Sequence, residues 1–96
     1  MAEYRLSRLA QRDLDGIFDY TVATWDLAQA LRYTDAIEAA CADLAEAPQR
    51  AQTCSDIRAD YRRLGVERHV IYFQMAPYGI AVIRILHQAM DAPQHL

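Results

Sequence analysis

The sequence predicts an α+β domain of two layers in the order β-α-α-β-β-β, an antiparallel helical hairpin packed on a four-stranded sheet. Three observations carry this reading. Apolar residues recur at spacings of three and four from Arg8 up to Pro48. Beyond Asp56 the pattern changes to runs rich in β-branched and aromatic residues. The breaks between those runs are too short for anything but hairpins. At 96 residues the chain is expected to form a single domain, 1–96, around one core.

The opening Glu3-Tyr4-Arg5-Leu6-Ser7 alternates Tyr4 and Leu6 against polar neighbours, a short strand ending on a good helix N-cap. From Arg8, residues Ala10, Leu14, Ile17, Phe18, Thr21 and Trp25 form one helical face, while Arg12, Asp13, Asp15 and Asp19 fill the other; Gly16 weakens this helix slightly. Asp26 caps a second helix with the stripe Leu27, Leu31, Thr34, Ile37, Cys41 and Leu44. Eight alanines between 28 and 47 favour that helix, and Pro48 ends it. So short a break at Trp25-Asp26 makes the two helices an antiparallel hairpin, with Trp25 and Tyr20 expected in its core and rim. Residues 49–56 lack periodicity and read as a loop. Three strands follow at 57–66, 68–75 and 79–87, divided by Gly65-Val66-Glu67 and by Ala76-Pro77-Tyr78-Gly79, the second a Pro/Gly turn. The first strand, returning through the helices, is expected beside the last.

Strict alternation sets Ile71, Phe73 and Met75 against Val70, Tyr72 and Gln74, and Ala81, Ile83 and Ile85 against Val82, Arg84 and Leu86. Both sheet faces are therefore partly apolar, and one helical hairpin covers only one of them. Val70, Tyr72, Val82 and Leu86 are expected to stay open unless a partner or the C-terminal stretch covers them. That stretch is too short and Pro-interrupted for a stable helix, so its position should depend on packing Met90 and Leu96 against the sheet.

Composition narrows the function. Seventeen residues are Ala, so the core is small and the helices can approach closely. All ten basic residues are Arg, which suits planar recognition of carboxylates and phosphates and also fits a GC-rich genome. Residues 1–48 carry four Arg and nine acids, whereas 49–96 carry six Arg and four acids, so a basic half follows an acidic one. No apolar run approaches the length of a membrane span, and charges occupy the start where a signal peptide would be apolar, so no membrane association is expected and the cytoplasm is the expected location. Cys41 and Cys54 form no CxxC and have no His at ligand spacing; a disulfide framework and a zinc site are not expected.

No P-loop, GxGxxG or HExxH is present, and three glycines are too few to cradle a phosphate; no metal or cofactor is expected. One cluster bears on chemistry: Arg58, Tyr61, Arg62 and Arg63, then Arg68 and His69, then Arg84 and His87. Histidine as base or acid with arginine for phosphorane charge suffices to cleave RNA at its 2′-hydroxyl. Arginine is also common at strand edges for solubility, and Arg58 or Arg68 can pair with Asp56, Asp60 or Glu67.

The succession YRLS, RDLDGIFDYT, Trp25, DIR at 56–58, RHVIYF at 68–73 and IRILHQAMD at 83–91 resembles the ParE toxins of the RelE/ParE superfamily, in order and over nearly the whole chain. The resemblance implies the β-α-α-β-β-β fold reached above from periodicity. It further implies a bacterial type II toxin that inhibits DNA gyrase by binding, has no catalytic residues of its own, and is neutralised by a ParD-like antitoxin in a heteromeric complex of even stoichiometry. The RelE branch, ribosome-dependent mRNA endonucleases, is the alternative, with His87 as acid or base and Arg84 and Arg62 as phosphate stabilisers. That branch is basic and Lys-bearing and often ends on a Tyr, whereas this chain has no Lys, a pI near 5.5 and Gln88 after His87, so direct nucleic-acid binding is not expected. A third reading is a degenerate module that retains only antitoxin binding. Antitoxin contacts are expected at Arg58, Tyr61, Arg62, Tyr72, Arg84 and Leu86, and target contacts at His87 and Met90.

Overall fold

The computed structural model describes residues 2–96. The elements are β1 (Glu3–Leu6), α1 (Arg8–Thr24), α2 (Leu27–Glu46), a 3-10 turn (Pro48–Arg50), β2 (Gln52–Thr53), β3 (Tyr61–Val66), β4 (His69–Ala76), β5 (Gly79–His87) and α3 (Ala92–His95). One sheet runs β1-β5-β4-β3-β2, antiparallel except that β1 lies parallel to β5. The α+β class and the seat of the first strand beside the last match the sequence reading. The sheet has five strands instead of four because Gln52 and Thr53, inside the segment read as a loop, pair with Arg63 and Arg62. β3 begins at Tyr61, four residues later than expected, after a turn in which the Cys54 carbonyl accepts the N–H groups of Ile57 and Arg58 and Asp60 takes a positive φ of 69°. Gly65 lies within β3; the hairpin turn is Glu67-Arg68, with Glu67 at φ 55°.

Both helices start on the expected caps. The Ser7 hydroxyl accepts the Ala10 N–H at 3.0 Å and the Asp26 carboxylate accepts the Gln29 N–H at 2.7 Å, each satisfying a donor that the first turn leaves unpaired. Ala10, Leu14, Ile17 and Thr21 are the buried face of α1, and Ala30, Thr34, Ile37, Cys41, Leu44 and Ala45 that of α2. Leu27 and Leu31 are exposed, contrary to the expected stripe, because Ala30 and not a leucine takes the inward position at the start of α2. Tyr20 and Trp25 are also exposed, at 70% and 72%, on one wall of an open cleft between the hairpin tip and the end of the sheet.

The main core lies between the helices and one sheet face, where Ile71, Phe73, Ile80, Val82 and Ile85 meet the buried helix residues. Val82 belongs there and not on the opposite face, a correction that follows from one irregularity. Tyr72 pairs with Arg84 while Phe73 pairs with Val82, so Ile83 is an extra residue, a β-bulge. The bulge resets the alternation: Ile80 and Val82 point to the helices before it, and Ile85 does so after it. The second face is covered by the chain itself. Cys54, Tyr72, Leu86 and Ala92 form a small second core, with Ile57, Tyr61, Val70 and Leu96 packed at its margin. The C-terminal stretch thus folds back as a lid through Ala92 and Leu96, whereas Met90 is half exposed and takes no part in either core.

Gly79 has a positional requirement. It opens β5 at φ 141°, and a Cβ there would collide with the backbone of Glu3, which pairs with it across the parallel ladder. Gly79→Ala is expected to destabilise the fold by about 1–3 kcal/mol, the range for a strained backbone position, read as a lower denaturant midpoint. Gly65→Ala, where a Cβ meets nothing within 4 Å, should be near neutral and serves as the control.

Candidate functional site

β1 accompanies β5 only from Gly79 to Val82, so the rest of that edge needs other partners. Residues at the start of α1 supply them. The Ser7 N–H donates to the Val82 carbonyl at 2.9 Å, the Ser7 hydroxyl donates to the bulged Ile83 carbonyl at 2.7 Å, and the Asp13 carboxylate accepts the Ile85 N–H at 3.0 Å. Asp13 also holds Arg84 in a two-pronged ion pair, 2.7 Å from Nε and 2.8 Å from an Nη, with both side chains largely shielded from water. The third arm of Arg84 donates to the His95 carbonyl at 3.1 Å. One guanidinium therefore joins α1, β5 and the C-terminal lid, and its partner raises its pKa.

The residues expected to meet a partner fall into three groups. Arg58 donates to the Leu96 carbonyl at 2.7 Å, Arg62 to the Ala51 carbonyl at 2.9 Å, and Arg84 to Asp13, so all three tie the chain to itself. Tyr72 and Leu86 are buried beneath the lid and Tyr61 lies at its margin, so the expected open apolar patch does not exist in the free chain. His87 is partly buried and Met90 half exposed, both accessible from outside. The set named for the endonuclease alternative, His87 with Arg84 and Arg62, is not brought together. Arg62 sits opposite Phe73 and His87 opposite His69, four residues apart on β4, on the order of 13 Å. Arg84 is neutralised by Asp13.

Sequence reasoning missed an open cleft of about 620 Å³ between the hairpin tip and the end of the sheet. α1 contributes Tyr20, Thr21 and Thr24, Trp25 stands at the break, α2 contributes Gln29, Arg32, Tyr33 and Ala36, and the sheet end contributes Glu67, Arg68, His69 and His87. The Tyr33 hydroxyl accepts the Arg68 backbone N–H at 3.1 Å and shares a 2.7 Å hydrogen bond with His69 Nδ1. The His69 ring meets Tyr33 and His87 edge to face, with centroids 5.5 and 5.2 Å apart. Burial pushes the His69 pKa down, the neighbouring His87 adds to this, and Asp13 opposes it. His87 Nδ1 accepts the Ala89 N–H at 3.0 Å, which leaves Nε2 as the donor of the neutral ring. The thiols are not candidates for chemistry: both are buried, and burial with Glu38 raises Cys41 to about 12. Among the described residues no group of three or more His, Cys, Asp or Glu is placed to hold a metal ion.

Comparison with known proteins decides the family. A family model described as the ParE toxin of the type II toxin-antitoxin system, parDE, matches residues 4–92. The chain belongs to the ParE toxin family. Toxin ParE1 of Caulobacter vibrioides is 38% identical over 96 residues, covering 100% of this chain and 99% of that one. Toxin ParE1 of Mycobacterium tuberculosis is 34% identical over 96 residues, covering 99% and 98%, and toxin ParE of Escherichia coli is 33% identical over 92 residues, covering 95% and 89%. A solved structure titled as the chromosomal ParDE TA system from P. aeruginosa shares the fold, with a TM-score of 0.78 at 22% identity over 91% of this chain and 96% of that one. No helix of this ParE family member is long and apolar enough to cross a membrane, among the described residues.

Two outcomes follow from the geometry. Asp13→Ala strands the Arg84 guanidinium and the Ile85 N–H together and is expected to cost about 2–4 kcal/mol; Asp13→Asn keeps an acceptor and should cost less in the same chemical denaturation. For His69 the folded pKa lies below the ordinary value of 6.5, so below that pH the unfolded chain takes up a proton that the folded chain resists. Stability should therefore fall as pH drops through and below about 6.5, and His69→Gln should fall less steeply over that window.

Proposed function

We propose that this ParE toxin acts by binding DNA gyrase, with no catalytic residues of its own, and that a ParD-like antitoxin holds it in check in a complex of even stoichiometry. The observation that carries this reading is the full-length family match, joined by a fold in which the two arginines named for the endonuclease alternative, Arg62 and Arg84, are held in internal ties. An inhibitor that works by occupancy needs surface and rigidity more than a tuned acid and base, and the cross-linked lid supplies rigidity.

The antitoxin contact lies on the helical hairpin. Leu27 and Leu31 stand one turn apart and exposed on α2, with Leu9 and Val22 exposed on α1, anchors of the kind an amphipathic segment uses. On the sheet side, Arg58, Tyr61, Arg62 and Arg84 stay as proposed contacts of a second stretch of antitoxin, with Tyr72 and Leu86 reached only if residues 92–96 are displaced. His87 and Met90 remain the proposed target contacts, since Met90 is exposed without a packing role.

Purified toxin is expected to inhibit gyrase supercoiling or to raise the yield of cleaved-DNA complexes, and equimolar antitoxin should restore activity. Met90→Ser should weaken inhibition at least several-fold while leaving the denaturation midpoint unchanged. Clean mRNA cleavage on ribosomes with gyrase unaffected would overturn the reading, as would an inert chain that still binds antitoxin.

A further inference from the structure

Tyr33 and His69 tie the inner wall of the cleft to the sheet, but no such tie explains the outer wall of Tyr20 and Trp25. Its two outer aromatic rings, Tyr20 and Trp25, are the most exposed large apolar side chains among the described residues. Exposing them costs apolar burial that a smaller or polar residue would not forgo. The lining contains no Leu, Ile, Val, Met or Phe; its apolar surface consists of aromatic rings, the threonine methyls and Ala36. A groove that receives a peptide's aliphatic anchors is ordinarily aliphatic itself, whereas bases stack on aromatic faces and arginine planes. The hydrogen-bonding groups lean the same way. Arg68 offers a cationic N–H fork, Arg32 offers the N–H groups beyond the one it gives to Gln29 Oε1 at 2.5 Å, and the Ala89 contact leaves the Nε2–H of a neutral His87 ring as a donor. Glu67, the one carboxylate of the lining, suits an exocyclic amine and not a phosphate. A volume of about 620 Å³ admits one nucleotide.

We propose that this cleft binds a single unstacked nucleotide, with its base against Tyr20 and Trp25 and its phosphate on Arg32 and Arg68. The net charge of −3 disfavours tracking a long phosphate backbone, and a one-nucleotide site does not require it. The source is either a free nucleotide or a frayed single strand, which share this chemistry. The inference is independent of gyrase being the target.

Trp25 is the only tryptophan in the chain, so its fluorescence reports the site directly. The full-length toxin is titrated with CMP, with a short single-stranded deoxycytidine oligonucleotide and with inorganic phosphate, correcting for absorbed light against free tryptophan. Saturable quenching by CMP or the oligonucleotide is expected, about tenfold weaker in Tyr20→Ala and clearly weakened in Arg32→Ser. Both residues are surface-exposed, and unchanged far-UV circular dichroism verifies each variant. Tighter binding per site to the oligonucleotide than to CMP identifies a strand as the source, and equal binding identifies free nucleotide. The proposal is overturned by no quenching at millimolar CMP and oligonucleotide, by equal quenching from phosphate alone, or by quenching that survives both substitutions. Loss of gyrase or antitoxin binding in the two variants, without any nucleotide response, makes the cleft a protein interface and also overturns it.

Discussion

The Asp13–Arg84 pair is the joint on which the architecture depends. A four-residue first strand leaves half of β5 unaccompanied, and a buried strand edge with free N–H and C=O groups is costly. Asp13 answers the Ile85 N–H and at the same time fixes a guanidinium that reaches over to the lid. The helices are thus attached to the sheet by a polar clamp as well as by apolar packing, and the lid is attached to the helices through the same side chain. A small, alanine-rich core makes such directional ties more valuable than they would be in a larger domain.

The order of elements, both helix caps and the neighbour relation of the first and last strands were legible in the sequence. They rest on local chemistry: Ser7 and Asp26 cap because of their own oxygens, and Pro48 stops α2 because of its own ring. The face assignment of β5 was legible after Ile83, where Ile85 and Leu86 hold their expected faces, and not before it. A bulge adds one residue to a two-residue period, and neither Ile83 nor its neighbours carry a Gly or Pro signal for it. Val82 was consequently assigned to the wrong face. The tail was half legible: the uncovered face demands a cover and Leu96 packs there as expected, but Ala92 and not Met90 completes it.

Legibility of the candidate site failed for a different reason. Helical periodicity says which residues share a side of a helix, and Trp25 does share a side with Thr21. It cannot say that a cleft stays open between the hairpin tip and the end of the sheet, which depends on elements far apart in sequence. The arginines misled similarly. Composition marks them as available charge, whereas three of the most suggestive, Arg58, Arg62 and Arg84, each end on an oxygen of this same chain. Charge that is committed internally contributes rigidity and little attraction.

The parallel pairing of β1 with β5 has a consequence for synthesis. Glu3 through Leu6 are made well before their hydrogen-bonding partners, Gly79 through Val82, with both helices and three strands lying in between. Everything between β1 and β5 must be translated before β1 has its partner, and the Asp13 clamp must wait slightly longer for Arg84 and His95. Non-local closure of this kind is slow compared with helix formation. During that interval the helical hairpin, whose contacts are local, can already present Leu27 and Leu31 while the sheet is incomplete. A partner that recognises the hairpin could therefore engage the nascent chain before its fold has closed.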